Sequence, residues 1–128
     1  MSAREAQLVV EQWGKAFGDA DVDGIAGLYA PDALMIGTHG TTVLTTPAQI
    51  RSYFDRALNM DRPRTATLNS SEALVVDDKT VVITGFDTIT SVKNAQQVTA
   101  SGRVTFVVAK RDANWKIVHL HRSLLPAT

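Results

Sequence analysis

Two histidines and an arginine lie close together late in the sequence, in a segment that we predict to be a strand. Side chains two residues apart on a strand point to the same face, so His119 and His121 could bind one metal ion if a third ligand, such as His39 or a carboxylate, joined them. No third ligand is evident, so we predict no metal site and expect the two histidines to pack with Trp115 and Ile117 on the same sheet face, where a subunit contact could form. Arg122 belongs to the opposite face, where it could either extend to the sheet edge or bind an anionic ligand.

Three alternating aspartates form a second pattern that could do chemistry. Asp19, Asp21 and Asp23 precede Gly24, which is how the calcium-binding loop of an EF-hand begins. Such a loop also needs a glutamate at its twelfth position, where this sequence has Ala30. Because the ligand set is incomplete, we predict that the loop does not bind calcium and that Asp19 or Asp21 caps a helix.

Composition excludes several other kinds of chemistry. The chain has 128 residues and no cysteine, and its 13 Lys and Arg residues balance 13 Asp and Glu residues. A thiolate nucleophile is therefore absent, and a neutral chain lacks the electrostatic attraction that nucleic acids or anionic membranes need. No apolar run reaches the roughly 20 residues of a membrane helix. We expect one cytoplasmic domain over residues 1–128, without a cofactor and with neither nucleic acid nor membrane as a partner.

The first half of the chain has the period of helices. Apolar residues recur three and four positions apart between about residues 3 and 19, Trp13 among them, which predicts an amphipathic helix. A short second helix is predicted from residue 22 to about residue 29, and a buried strand over 33–36. Thr46 followed by Pro47 predicts the start of a third helix, which carries Tyr53.

The second half has the alternation of strands. Four long segments, at about 65–76, 80–92, 97–111 and 115–124, are separated by short turns, so neighbouring strands are predicted to be antiparallel. Helices followed by a long meander indicate an α+β domain whose helices pack on one face of a curved sheet.

Residues 110–126 carry a specific resemblance. They read KRDANWKIVHLHRSLLP, and they closely resemble the end of the association (hub) domain of calcium/calmodulin-dependent protein kinase II. Residues 28–33 (LYAPDA) are similar to a stretch that is common across the NTF2-like superfamily, and residues 50–54 (IRSYF) resemble the third helix of the hub. Stand-alone bacterial relatives, some from enediyne biosynthesis clusters, share this layout.

This resemblance implies a fold and an assembly. The fold would be the NTF2-like (cystatin-like) cone, with three N-terminal helices packed on a curved mixed β-sheet and a pocket between them. Members are commonly homodimers, and kinase hubs form rings, so a homodimer or a larger ring is expected. Hub pockets carry three arginines: Arg122 matches one of them, whereas the other two positions fall on Phe106 and Phe86.

The predicted pocket combines the resemblance with strand alternation. Even-numbered residues of the last two strands should share the concave face if no bulge shifts the register. The expected ligand-binding residues are Trp13, Tyr29, Tyr53, Phe86, Phe106, Leu120 and Arg122. Odd-numbered residues, Ile117 and His119 among them, should lie on the other face and bury against a second copy.

Two functions follow as expectations. The first is a non-kinase domain that forms homo-oligomers and binds a small, partly apolar, anionic molecule, such as a carboxylate held by Arg122. The second is a small-molecule enzyme of secondary metabolism, of the SnoaL-like or steroid-isomerase-like type, that uses His39, Tyr53 or Asp87. The strand that carries the base of steroid isomerases has no acid over residues 33–37, which favours binding. A third hypothesis is a purely structural module that serves only in assembly.

Overall fold

Three helices occur in residues 2–126, the part of the chain that the computed structural model describes. They are α1 (Ser2–Gly18), α2 (Val22–Ala26) and α3 (Pro47–Ala57). Two predicted caps are present, because Asp21 accepts a hydrogen bond from the backbone N–H of Gly24 at 2.9 Å and Thr46 accepts one from Gln49 at 3.2 Å. The helix after Asp21 is shorter than predicted, since the chain is already a strand at Tyr29.

The strands form one five-stranded sheet within the described residues. They are β1 (Tyr29–Ile36), β2 (Arg64–Asp77), β3 (Thr80–Lys93), β4 (Gln96–Arg111) and β5 (Asn114–Leu124). Their order is β1-β5-β4-β3-β2, with β1 parallel to β5 and the other pairs antiparallel. The predicted mixed sheet of an α+β fold is therefore confirmed. Pro31 is compatible with β1 because this strand lies at a sheet edge, where a missing N–H is tolerated.

Aromatic side chains of the helices pack on the concave face of the sheet. The ring of Trp13 from α1 stacks on Phe17 at 5.3 Å between centroids, and it meets Phe54 of α3 and Phe106 of β4 edge-on at 6.1 and 5.6 Å. All four side chains are buried. This cluster joins α1, α3 and the sheet, so it fixes the distance between the two layers. No described helix is both long and apolar enough to cross a membrane.

A bulge in β5 corrects the predicted register. Val107 lies opposite His119, but Val108 lies opposite Ile117, so Val118 is an extra residue in its strand. Ile117 is therefore in the core with none of its surface exposed, and the prediction that it faces a second copy is wrong. After the bulge the alternation resumes, and Leu120 and Arg122 are buried on the concave side as predicted.

Candidate functional site

A buried ion pair joins two strands on the concave face. Arg122 of β5 and Asp87 of β3 are 6% and 5% exposed. The Nε atom of Arg122 donates to both carboxylate oxygens of Asp87 at 2.9 Å, and its Nη2 atom donates to Oδ1 at 2.7 Å. Such multiple charge-assisted contacts are stronger than hydrogen bonds between neutral groups. The pair therefore fixes the guanidinium in one position.

Gly102 leaves the space through which Arg122 reaches Asp87 across the intervening strand β4. Gly102 pairs with Asp87 in the sheet, and a Cβ atom on it would lie 2.5 Å from Nη2 of Arg122. Two more acceptors complete the arrangement: Nη1 donates to Oγ1 of Thr38 at 2.8 Å, and Nη2 donates to the backbone oxygen of Ala100 at 3.4 Å. The contact with Thr38 ties the loop after β1 to the ion pair.

This geometry changes the roles expected of both charged residues. Arg122 was expected to hold the carboxylate of a ligand, but the carboxylate that it binds is that of Asp87, so its charge is already compensated. Asp87 was a candidate catalytic base. A base needs a lone pair directed at the substrate, and both oxygens of Asp87 accept hydrogen bonds from Arg122 instead. The sequence pattern indicates a face for Arg122 but does not reveal that it pairs with Asp87.

A cavity of about 350 Å³ lies between the helices and the concave face; we call it the conical cavity. Five of the expected site residues line it: Trp13, His39, Tyr53, Leu120 and Arg122. Its other apolar walls come from Phe17, Met35, Phe54, Ile89, Val98 and Leu124. Tyr53 packs directly against Gly37, where a Cβ atom would overlap its ring. The structure thus brings together one histidine, one tyrosine and the end of the ion pair in an apolar enclosure.

Phe86 does not belong to this cavity, and its predicted place on the concave face is wrong. Its side chain is 48% exposed on the opposite, convex face, in a shallow depression with Arg103. Strand β3 buries its odd-numbered residues, including Val81, Ile83 and Asp87, so an even-numbered residue points outward. This alternation was visible in the sequence and identifies Asp87 as the inward position.

Phe106 and Tyr29 are buried as expected, but they do not line the conical cavity. Phe106 borders a larger, more open groove of about 790 Å³ between α1 and β2, as does Asp87. Trp13 borders both spaces. Tyr29 lies in the core, where its hydroxyl accepts a hydrogen bond from Nε1 of Trp13 at 3.0 Å. Burial raises the pKa of Tyr29 well above its usual value, although the Trp13 hydrogen bond opposes this shift.

The family assignment rests on residues 7–128, which match the family model of the SnoaL-like domain. The chain belongs to the SnoaL-like domain family. The match covers both the helices and the sheet that enclose the conical cavity. None of the curated proteins compared with this SnoaL-like domain matches it significantly.

Solved structures have the same fold. A Xanthomonas campestris protein assigned as a calcium/calmodulin-dependent protein kinase II association domain is 30% identical, with a TM-score of 0.91, over 100% of this chain and 91% of that chain. An NTF2-like protein with a cystatin-like fold from Novosphingobium aromaticivorans is 16% identical, with a TM-score of 0.83, over 99% and 84% of the two chains. A Streptomyces avermitilis protein assigned as a dehydratase of the NTF2-like family is 14% identical, with a TM-score of 0.87, over 98% and 97%. The predicted NTF2-like, cystatin-like fold is confirmed.

The two late histidines of the SnoaL-like domain lie on the convex face. The Nδ1 atom of His119 is 3.1 Å from the backbone oxygen of Leu34, so this ring is tied to the edge strand β1. His121 is exposed. In residues 2–126 no group of three histidine or acidic side chains is arranged to hold a metal ion. His39 lies in the loop after β1 and lines the conical cavity. It does not form a three-ligand group with His119 and His121.

Proposed function

We propose that this SnoaL-like domain binds a small, largely apolar molecule in the conical cavity. The observation that carries the proposal is the enclosure itself: its volume of about 350 Å³ is within the range of ligand sites, about 300–1,000 Å³. Most of its lining surface is apolar, and its polar side chains are the neutral Thr38, His39, Tyr53 and Ser91 and the charged Asp61, Arg64, Lys93 and Arg122. That combination is typical of sites in which apolar contact supplies affinity and a few polar groups fix orientation.

The polar group of the ligand that faces Arg122 is expected to be neutral. Asp87 compensates the guanidinium charge, so a carboxylate at this end would have to compete with an internal one that is already bound by three short contacts. Thr38 accepts from Arg122 and keeps its own O–H to donate. A carbonyl or hydroxyl oxygen of the ligand fits this arrangement. The structure therefore does not favour binding of a ligand carboxylate to Arg122, although the sequence predicted it.

A neutral aromatic probe tests the proposal. N-phenylnaphthylamine fluoresces more strongly in apolar sites, and we expect it to bind the wild-type protein with one saturable site. Ala57 lines the conical cavity from α3, so Ala57→Trp should fill the cavity and abolish binding. Asp55→Trp places the same side chain at an exposed position of the same helix, outside the residues that line the conical cavity, and should leave binding unchanged. Wild-type protein that does not bind the probe, or equal binding by both variants, would contradict the proposal.

Homo-oligomerisation is the second part of the proposed function. The helices cover the concave face of the sheet, whereas the convex face carries the exposed ring of Phe86 beside Thr84 and Arg103. A second copy would bury this surface in an isologous contact. The 30% identical Xanthomonas protein is assigned as an association domain, which supports self-association here.

Catalysis in the conical cavity is the alternative function. His39 and Tyr53 line the same apolar enclosure, and a base and an acid that meet one substrate are what isomerisation or dehydration needs. The test uses whatever compound co-purifies with the protein, identified by native mass spectrometry. Conversion of this compound by wild-type protein, with loss of conversion in both His39→Gln and Tyr53→Phe, would support an enzyme. Stable, unconverted compound would favour binding.

A further inference from the structure

A second arginine of the conical cavity, Arg64, forms no ion pair with a carboxylate of the described residues. We propose that Arg64 binds the acidic group of an organic anion in this cavity, so that the charged end of the ligand contacts Arg64 and its neutral polar end faces Arg122. This inference rests on the proposed ligand binding and adds the charge and orientation of the ligand. The anion-binding role expected of Arg122 is thereby assigned to Arg64, which no sequence motif marks.

The contacts of Arg64 leave most of its hydrogen-bonding capacity unused. It is the first residue of β2, it is half-buried, and it lines the conical cavity. Its Nη1 atom donates to the backbone oxygen of Met60 at 3.3 Å, and its Cζ atom lies 5.7 Å from the ring centre of Phe17. Its Nε atom is buried and has no hydrogen-bond partner among residues 2–126. A guanidinium offers five N–H donors in a planar fork that fits the two oxygens of a carboxylate or sulfonate.

The other charged groups around the cavity favour an anion. The residues that line it include the cations Arg64, Lys93 and Arg122 and one acid, Asp61. Asp87 compensates Arg122 from behind. Asp61 forms no ion pair with Arg64 among the contacts of the described side chains, although it lies close in the chain. Among the described lining residues, two cations that form no ion pair with a described carboxylate then stand against one acid, so the lining carries a net positive charge.

The ring of Phe17 gives this site its apolar side. An arginine that lies over an aromatic face keeps one side of its guanidinium plane covered and its edge free for hydrogen bonds. An aromatic anion could therefore place its acidic group against the edge of Arg64 while its ring enters the apolar enclosure. A free inorganic anion would gain only the first of these contacts.

A matched pair of probes separates this inference from the proposed function. Anilinonaphthalene sulfonate and N-phenylnaphthylamine share an aromatic framework, but only the first carries a negative charge. We expect Arg64→Met to raise the Kd of the sulfonate by about tenfold, as expected for loss of one charge-assisted contact at a half-exposed site. The Kd of the neutral probe should stay unchanged. Arg62→Met removes the same charge at an exposed position outside the cavity and should change neither value.

Each contrary result has a distinct meaning. If the neutral probe binds in the cavity but the sulfonate binds equally to wild type and Arg64→Met, the role of Arg64 is wrong and the proposed function stands. If the neutral probe does not bind wild-type protein, the proposed function itself fails. Should Arg64→Met not fold by circular dichroism, Arg64→Gln and a salt titration of wild-type protein replace it. Added salt should then weaken the sulfonate and leave the neutral probe unaffected, and an equal response of both probes would overturn the proposal.

Discussion

Asp87 and Arg122 are 35 residues apart in the chain, on strands that are not neighbours, and they meet over Gly102 of the strand between them. Three contacts of 2.7 to 2.9 Å hold the pair, and Thr38 extends it to the loop beside the conical cavity. The pair thus connects the centre of the sheet to the cavity wall. It also sets the polarity of the cavity, because it compensates the guanidinium that would otherwise attract an anion.

Removal of either partner should strongly destabilise the protein. Arg122→Met or Asp87→Leu leaves the other charge buried and unpaired, which costs about 3–5 kcal/mol of unfolding free energy. The double variant removes both charges, so its loss of unfolding free energy should be clearly smaller than the sum of the losses in the two single variants. Urea unfolding measures all three values. Asp32→Asn, which breaks the exposed pair with Arg111, is the control and should have a much smaller effect. If the losses of unfolding free energy in the two single variants simply add up in the double variant, Asp87 and Arg122 do not stabilise each other and the prediction is wrong.

Gly102→Ala should weaken the same ion pair through space alone. The added methyl group would lie 2.5 Å from Nη2 of Arg122, so the guanidinium must move, and we expect a loss of about 1–3 kcal/mol of unfolding free energy. Gly14→Ala is the matched control, because its methyl group would make an ordinary contact at 3.6 Å with the backbone of Ala66. Alanine in a helix should stabilise the protein there by up to about 1 kcal/mol. Equal effects of the two substitutions would show that the close approach does not matter.

The bulge at Val118 predicts which of two adjacent apolar residues matters for stability. Ile117 has no exposed surface, whereas Val118 is partly exposed. Ile117→Ala should therefore lower the unfolding free energy by about 2–5 kcal/mol, and Val118→Ala by about 1 kcal/mol or less. Denaturant unfolding of both variants makes the comparison. The reverse order would mean that the strand keeps regular alternation through this position.

The buried hydroxyl of Tyr29 predicts a loss of stability in alkali. Burial raises its pKa in the folded protein above the unfolded value near 10. Above that pH the unfolded chain loses a proton that the folded protein keeps, so the unfolding free energy falls as pH rises, by up to about 1.4 kcal/mol per pH unit from this group. Below a pH of about 10 the tyrosine is protonated in both states, so its contribution to stability is fully present.

Tyr29→Phe isolates this effect. The variant lacks the titrating group, but it also leaves Nε1 of Trp13 without its acceptor, which costs about 1–3 kcal/mol at neutral pH. The stability difference between wild type and variant should be constant up to about pH 9 and should shrink by about pH 11. Unfolding at both pH values tests this, and a difference that does not change with pH would exclude a raised pKa.

The oligomeric state depends on the convex face. We expect wild-type protein to be at least a dimer at micromolar concentration, and Phe86→Lys to shift it towards monomer, because a lysine there would bury a charge at a symmetric contact. Light scattering after size-exclusion chromatography measures the mass. Leu8→Lys changes an apolar residue of similar exposure on α1 and should leave the assembly intact. A wild-type monomer would remove the proposal.

Local patterns in the sequence determined the elements and their caps. The helical period around Trp13, the Thr46-Pro47 start of α3 and the alternation of the four long strands all depend on residues close in the chain, so they could be predicted. The same local logic assigned Leu120 and Arg122 to the concave face, and the C-terminal motif indicated the family.

Only the tertiary structure decided the site. A bulge is a property of how two strands pair, and it moved Ile117 into the core without any change in its own sequence pattern. The partner of Arg122 is Asp87, which comes near only when β3, β4 and β5 are side by side and Gly102 leaves room between them. Arg64 acquires its place at the cavity in the same way, from the packing of β2 beneath Phe17. The ion pair and the conical cavity both depend on residues that are distant in the chain, so they exist only after the chain has folded.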